Sequence, residues 1–259
     1  VVIAVAAVLV WLALLTYLVY PGRVATALAW AAWLVLLGGL VERAALSGHW
    51  PLSNRHEFAL TCAWWGLGIY LLLEAGWHER RAGAFGLAAA ALMIGYAVTR
   101  SESARAVAPL LPVLRSPWLQ LHALSAAVGY AVMGVAAGFG LGRLIQARWP
   151  ARLPAAEDLE WMMSRSLTLG FPWLTFSLLA GAIWAQAAWG RLWAWDPKET
   201  WALVVWLWYL MLLHLHPLSR WRGRRLAMLL LIGYAGVVFT FIGVPWLVQQ
   251  VRLESLHGF

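Results

Sequence analysis

Trp189-Gly190-Arg191-Leu192-Trp193-Ala194-Trp195-Asp196-Pro197-Lys198-Glu199-Thr200-Trp201 places four tryptophans within 13 residues. It separates two apolar segments, roughly 166–188 and 201–216, each near the length that crosses a bilayer. An aromatic loop between two spans reads as the surface end of a polytopic helical bundle. Tryptophan is enriched at membrane interfaces as a belt, but WxxxWxWD is denser than a belt supplies. The stretch therefore reads as a flat apolar shelf edged with hydrogen-bond donors, suited to a planar hydrophobic ligand.

The composition agrees. Of 259 residues, 63% are apolar and 12% charged, 20 are tryptophan, and the mean hydropathy is +0.73. A soluble domain needs more polar surface than this, so the expected class is all-α, a polytopic integral membrane bundle forming one transmembrane domain over 1–259. Taking about 20 apolar residues per crossing gives about eight transmembrane helices, roughly 1–20, 24–45, 57–75, 82–99, 118–147, 166–188, 201–216 and 226–250. The fifth exceeds what a bilayer requires and is expected to tilt or project. No internal repeat is visible. The lone cysteine, Cys62, lies in an apolar run and reads as a small buried hydrophobe. The chain opens on Val1, which points to a trimmed N-terminus, and no secretory signal is apparent.

The net charge of +8 reports topology here, so no nucleic acid is expected as a partner. With strict alternation, 11 of the 19 Lys and Arg residues fall on the face opposite the tryptophan loop, including the dense run Arg220-Trp221-Arg222-Gly223-Arg224-Arg225. That run anchors its loop inside, and the tryptophan loop then faces away from the cytoplasm.

Two histidines from distant parts of the chain fall on that outer face. His122 lies one turn into the fifth span, after Ser116-Pro117-Trp118, and His257 lies just beyond the eighth. Pro51-Leu52-Ser53-Asn54-Arg55-His56-Glu57 leads into the third span on the same side. Histidine is the usual axial ligand of haem, so two imidazoles beside an aromatic shelf point to haem as the planar ligand. His214 lies inside a span, about 20 Å along the helix from Trp201; an ionisable group there is functional by default, while an interfacial position would carry no such meaning. Asp196 reads first as an N-cap, with Pro197 and Glu199 completing a helix start that would fix the shelf on the seventh span. Lys198 and Arg191 suit either haem propionates or the phosphates of membrane lipid. Asn54, His56 and Glu57 are read as helix-entrance caps or as site residues, and His49, His78 and His216 as interfacial.

These residues resemble the cytochrome c biogenesis family CcsA (ResC) of System II, within the haem-handling proteins that carry a WWD domain. The resemblance rests on 189–203, on Leu213-His214, on Trp221-Arg222-Gly223-Arg224-Arg225, and on Phe239-Thr240-Phe241-Ile242-Gly243-Val244 followed by Leu256-His257. It also takes in Pro117-Trp118-Leu119-Gln120-Leu121-His122 and the 51–58 stretch. Pro245 stands where asparagine is commoner in the family. The resemblance implies a cytochrome c synthase and haem-transport subunit of the bacterial plasma membrane. Such a subunit moves haem b to the outer face, presents it on the WWD loop, and supports its attachment to the CxxCH segment of apocytochrome c. It further implies that His214 receives haem within the membrane, that His122 and His257 are axial ligands to the presented haem, and that Trp189, Gly190, Trp193, Trp195, Asp196 and Trp201 form the cofactor-binding loop. A CcsB (ResB) type membrane subunit is the implied partner in a holocytochrome c synthase complex. Two imidazoles on the iron favour the ferrous state, and no side chain need act as acid or nucleophile. The rival readings are a CcmC-like haem exporter or relay without ligation activity, a membrane b-type cytochrome, and a solute transporter.

Overall fold

The computed structural model describes residues 1–106 and 112–251, and it is helical throughout. The helices are α1 (Val2–Val19), α2 (Arg23–Ser47), α3 (Arg55–Trp77), α4 (Gly83–Val98), the single turn α5 (Glu102–Arg105), α6 (Pro117–Ile145), α7 (Ala156–Trp189), α8 (Pro197–Leu215), α9 (Arg224–Val238) and α10 (Val244–Val251). A five-residue π-helical turn, Phe239–Gly243, joins α9 to α10 without breaking the helix. Each of the eight expected spans is helical. Six helices among the described residues are long and apolar enough to cross a membrane. The other two expected spans are α4, apolar but 16 residues long, and α8, whose first turn carries Lys198 and Glu199. The chain is thus a polytopic membrane bundle.

α6 is its axis. In its most apolar window 83% of the residues are buried, against 28% for α1, and it packs on α3, α4, α7 and α9. Without a solvent-driven hydrophobic effect between helices in lipid, close approach through small residues supplies the contact. Gly138 is where this is tightest: a Cβ there would stand 1.9 Å from the backbone oxygen of Phe85 in α4. Backbone cannot step aside as a side chain can, so Gly138→Ala is expected to push α4 and α6 apart and cost about 1–3 kcal/mol or more. Gly95→Ala in α4, whose Cβ would only touch Trp11 at 3.7 Å, should be nearly silent. Thermal unfolding of the two purified variants separates them.

Helix alternation gathers the connections at two ends. At one, Glu74 is buried where α1, α2 and α3 meet, accepting hydrogen bonds from Tyr17, from Tyr70 (2.7 Å) and from Thr26 (2.6 Å), with Arg80 at 3.4 Å. Arg143 pairs with Glu160 at 3.0 Å, Arg81 donates to the Leu153 carbonyl and Arg224 to that of Leu144, tying the arginine-rich loops together. α7 begins ten residues before the expected 166. Glu157 and Asp158 lie in its first turn, where negative charge favours the helix terminus.

The opposite end carries the tryptophan loop and a buried ion pair. Arg43 of α2 meets Glu57 of α3 at 2.6 Å and donates to the carbonyls of Arg105 and Ala106. Glu57 also accepts from the Ser53 N–H (2.9 Å) and hydroxyl (2.6 Å), while Asn54 caps α3 through the Glu57 N–H. His56 is buried on the Ala97 carbonyl at 3.0 Å. The entrance residues Asn54, His56 and Glu57 therefore have structural partners.

Candidate functional site

At this end a cavity lies between α3, α6, α7, α8 and the π turn. Its walls are largely apolar, and Phe58, Tyr130, Leu174, Val205, Trp206 and Phe241 line it. Several of these form an aromatic layer: Phe58 lies 5.8 Å from Tyr130 and 5.1 Å from Phe241, which in turn meets Tyr96 at 5.5 Å. The π turn brings Thr240 and Phe241 into this lining. π bulges recur at functional sites because one extra residue re-aims the side chains that follow.

His122 lines the cavity. Its Nδ1 is 2.8 Å from the Ser177 carbonyl oxygen of α7, and the Ser177 hydroxyl donates back to the His122 carbonyl at 3.2 Å. A carbonyl only accepts, so Nδ1 carries the proton; in the neutral ring Nε2 then holds the lone pair, the form in which an imidazole ligates a metal. One turn after Ser177, Gly181 makes room for the ring, since a Cβ there would stand 2.7 Å from Nδ1. α7 thus orients His122 from two successive turns, as outer-shell partners orient metal-binding histidines.

The tryptophan stretch is shorter as a loop than its sequence suggests. Trp189 ends α7, Gly190 caps it in the left-handed conformation at φ 73°, and α8 starts at Pro197, so residues 190–196 are the loop proper. Asp196 is the N-cap: it accepts from the Lys198 N–H at 2.9 Å, while Glu199 accepts from the N–H groups of Ala194 (2.8 Å) and Asp196 (3.3 Å). This capping box folds the loop back onto α8. Trp193 faces the cavity, and its buried indole N–H has no partner among the described residues. Trp195 is 70% exposed with φ 57°, an outlier for a bulky side chain that directs functional interest to the residue. Trp189 packs on the cavity-lining Trp184 at 4.7 Å, and Trp201 on Phe239 at 4.7 Å. Of the named loop residues, then, Trp193 alone is in the lining, while Trp189, Gly190, Trp195, Asp196 and Trp201 surround or support it.

His214 stands apart. It is exposed on the flank of α8 near its far end, with Nδ1 on the Leu210 carbonyl at 2.8 Å, and it is not part of the cavity. His257 lies outside the described residues. Lys198 lines the cavity, whereas Arg191 is exposed and does not. The structure adds His49, expected to be merely interfacial, and Arg55 to the lining. Ser177 and Gly181 were not foreseen either. One acts through a backbone carbonyl and the other through a missing side chain, and neither leaves a mark in sequence. Among the described residues no group of three or more His, Cys, Asp or Glu side chains forms a metal site, and the cavity's apolar walls suit a larger, mostly apolar ligand.

Comparison with known proteins bears on what that ligand is. Residues 52–252 match the family model described as cytochrome C assembly protein. The cytochrome c biogenesis protein CcsA of Prochlorococcus marinus (strain NATL2A) is 33% identical, over 87% of this chain and 82% of its own. CcsA of Chlamydomonas reinhardtii is 34% identical over 87% of this chain and 65% of its own. That of Parasynechococcus marenigrum (strain WH8102) is 34% identical over 82% and 79%.

Proposed function

Because this chain belongs to the CcsA family of cytochrome c biogenesis proteins, we propose that its cavity presents haem b for covalent attachment to apocytochrome c. The observation that carries this reading is the seating of His122, with Nδ1 committed to the Ser177 carbonyl and a bare Gly181 making room for the ring, beside the Trp193 indole N–H that has no partner among the described residues. These residues fit a planar, mostly apolar ligand with a metal at its centre. His257 is the second axial ligand in this reading. His214, exposed on the bundle's flank, takes up haem at membrane depth beside a CcsB (ResB) type subunit. The end carrying 190–196 faces outward from a bacterial plasma membrane, and the arginine-rich end faces the cytoplasm.

Haem supplies two vinyl groups and an iron that binds imidazole. Each thiol of the incoming CxxCH segment adds across a vinyl double bond, forming a C–S bond as its proton passes to the neighbouring vinyl carbon, with no net oxidation. The chain's own work is positioning. α6 and α7 hold His122 while the capped loop places Trp193 against the ligand, and the peptide histidine can then take over one iron position. No side chain of the cavity needs to act as nucleophile.

Co-expression of the chain with its partner subunit and a CxxCH apocytochrome c, in a host lacking its own maturation system, is expected to give covalent haem on denaturing gels. An AxxAH substrate should give none. Equal product with and without the chain would overturn the proposal, and haem loading without covalent product would make the chain a relay.

A further inference from the structure

We propose that Arg55 and Lys198 seat the two carboxylates of the bound haem, and so decide which edge of it faces the incoming peptide. This rests on the cavity being the haem site. What sets the pair apart is its place in the cavity wall. Arg43, Arg80, Arg81 and Arg143 each have a carboxylate within 4 Å, whereas Arg55 and Lys198 line a largely apolar cavity, half-buried, with no ion pair among the described residues.

The neighbouring carboxylates each hold other hydrogen-bond donors. Glu57 serves Arg43 and Ser53, Glu199 serves the N–H groups of Ala194 and Asp196, and Asp196 caps the Lys198 backbone N–H. A cation held in an apolar wall is unfavourable until an anion joins it. Two such cations on one cavity match a ligand that is apolar over its faces and bears two carboxylates on one edge.

Placement adds to this. Arg55 is the first residue of α3 and Lys198 the second of α8, so both project from capped helices and not from loose loops. The guanidinium fork can take a carboxylate with two parallel bonds, the ammonium as a point charge. Arg191, the other cation near the loop, is exposed and off the cavity. With the carboxylate edge held by Arg55 and Lys198, the vinyl-bearing part is left for the thiols.

A lipid phosphate offers the same anionic chemistry, and the test must separate the two. Purified protein is titrated with haem and with haem dimethyl ester, whose carboxylates are blocked, and the absorption change is followed for wild type, Arg55→Gln, Lys198→Gln and the double variant. Anionic phospholipid that co-purifies is measured in parallel. Wild type is expected to prefer haem by roughly tenfold or more, the scale of one charge-assisted hydrogen bond. The double variant should bind both ligands alike, at the wild-type ester level, and Arg55→Lys/Lys198→Arg should keep the preference. If the double variant does not purify, each single variant should lose part of the preference.

A wild type that does not discriminate, or a double variant that discriminates as wild type does, overturns the proposal. So does unchanged discrimination with loss of bound phospholipid, which would make the cations lipid contacts. Failure of the haem site itself looks different: His122→Ala would then bind both ligands as tightly as wild type.

Discussion

His122→Ala is expected to remove the low-spin ferrous haem spectrum of the dithionite-reduced protein, and millimolar imidazole is expected to restore it. The reasoning starts from the ring's surroundings. Ser177 fixes the tautomer through a 2.8 Å bond to Nδ1, and Gly181 leaves the space the ring fills, so truncation empties a slot already shaped for imidazole. Free imidazole can enter that slot and be oriented by the same carbonyl. Gly181→Ala should produce a weaker version of the defect. Its Cβ would press on Nδ1 from 2.7 Å and turn the ring off the Ser177 carbonyl, lowering haem affinity roughly 10–100-fold, as loss of an outer-shell partner does. Imidazole should not correct it, because the native ring still occupies the slot. His214→Ala, on the flank of α8, should leave the cavity spectrum in place. An unchanged spectrum in His122→Ala would reopen the relay and b-type cytochrome readings.

The bundle was legible because its signal is local: each apolar stretch near bilayer length became a helix, and Asp196-Pro197-Lys198-Glu199 is a capping box in sequence and in space. What could not be read depends on neighbours distant in the chain. The ten extra residues of α7 mix Glu157, Asp158, Glu160 and Arg165 with the buried Leu159, Met162 and Met163, so hydropathy passes over them. His49 looked interfacial because nothing in sequence places the 49–55 segment beside α6 and α8; the Arg43–Glu57 pair and the Thr61 bond to the Pro51 carbonyl do so. The tryptophan stretch was recognised as a unit, but its division was hidden. Only the fold distinguishes Trp193, which lines the cavity, from Trp195, which faces out at φ 57°. The Phe239–Gly243 stretch carried resemblance without a reason, and the reason found here is a π turn that delivers Thr240 and Phe241 to the cavity.

The buried Arg43–Glu57 pair carries the largest expected loss of stability. Glu57→Leu is expected to destabilise the protein by about 3–5 kcal/mol, because a buried guanidinium loses its counter-charge and is left with the neutral carbonyls of Arg105 and Ala106. Arg43→Met should cost less, since the stranded carboxylate still accepts from the Ser53 N–H and hydroxyl. The double variant Arg43→Met/Glu57→Leu should recover most of the loss, as buried ion pairs replaced by apolar groups of similar volume often do. Arg81→Gln is the internal scale: Arg81 and Glu79 are 42% and 19% exposed, against 9% and 1% for Arg43 and Glu57, and an exposed pair contributes about 0–1 kcal/mol. Thermal unfolding in one detergent ranks the four. The pair also ties the segment bearing His49 and Arg55 to α2, so Glu57→Leu should weaken haem binding as well as folding, whereas Arg81→Gln should do neither. If Glu57→Leu proves as mild as Arg81→Gln, helix packing alone holds that segment, and the cavity's edge does not depend on the buried charge.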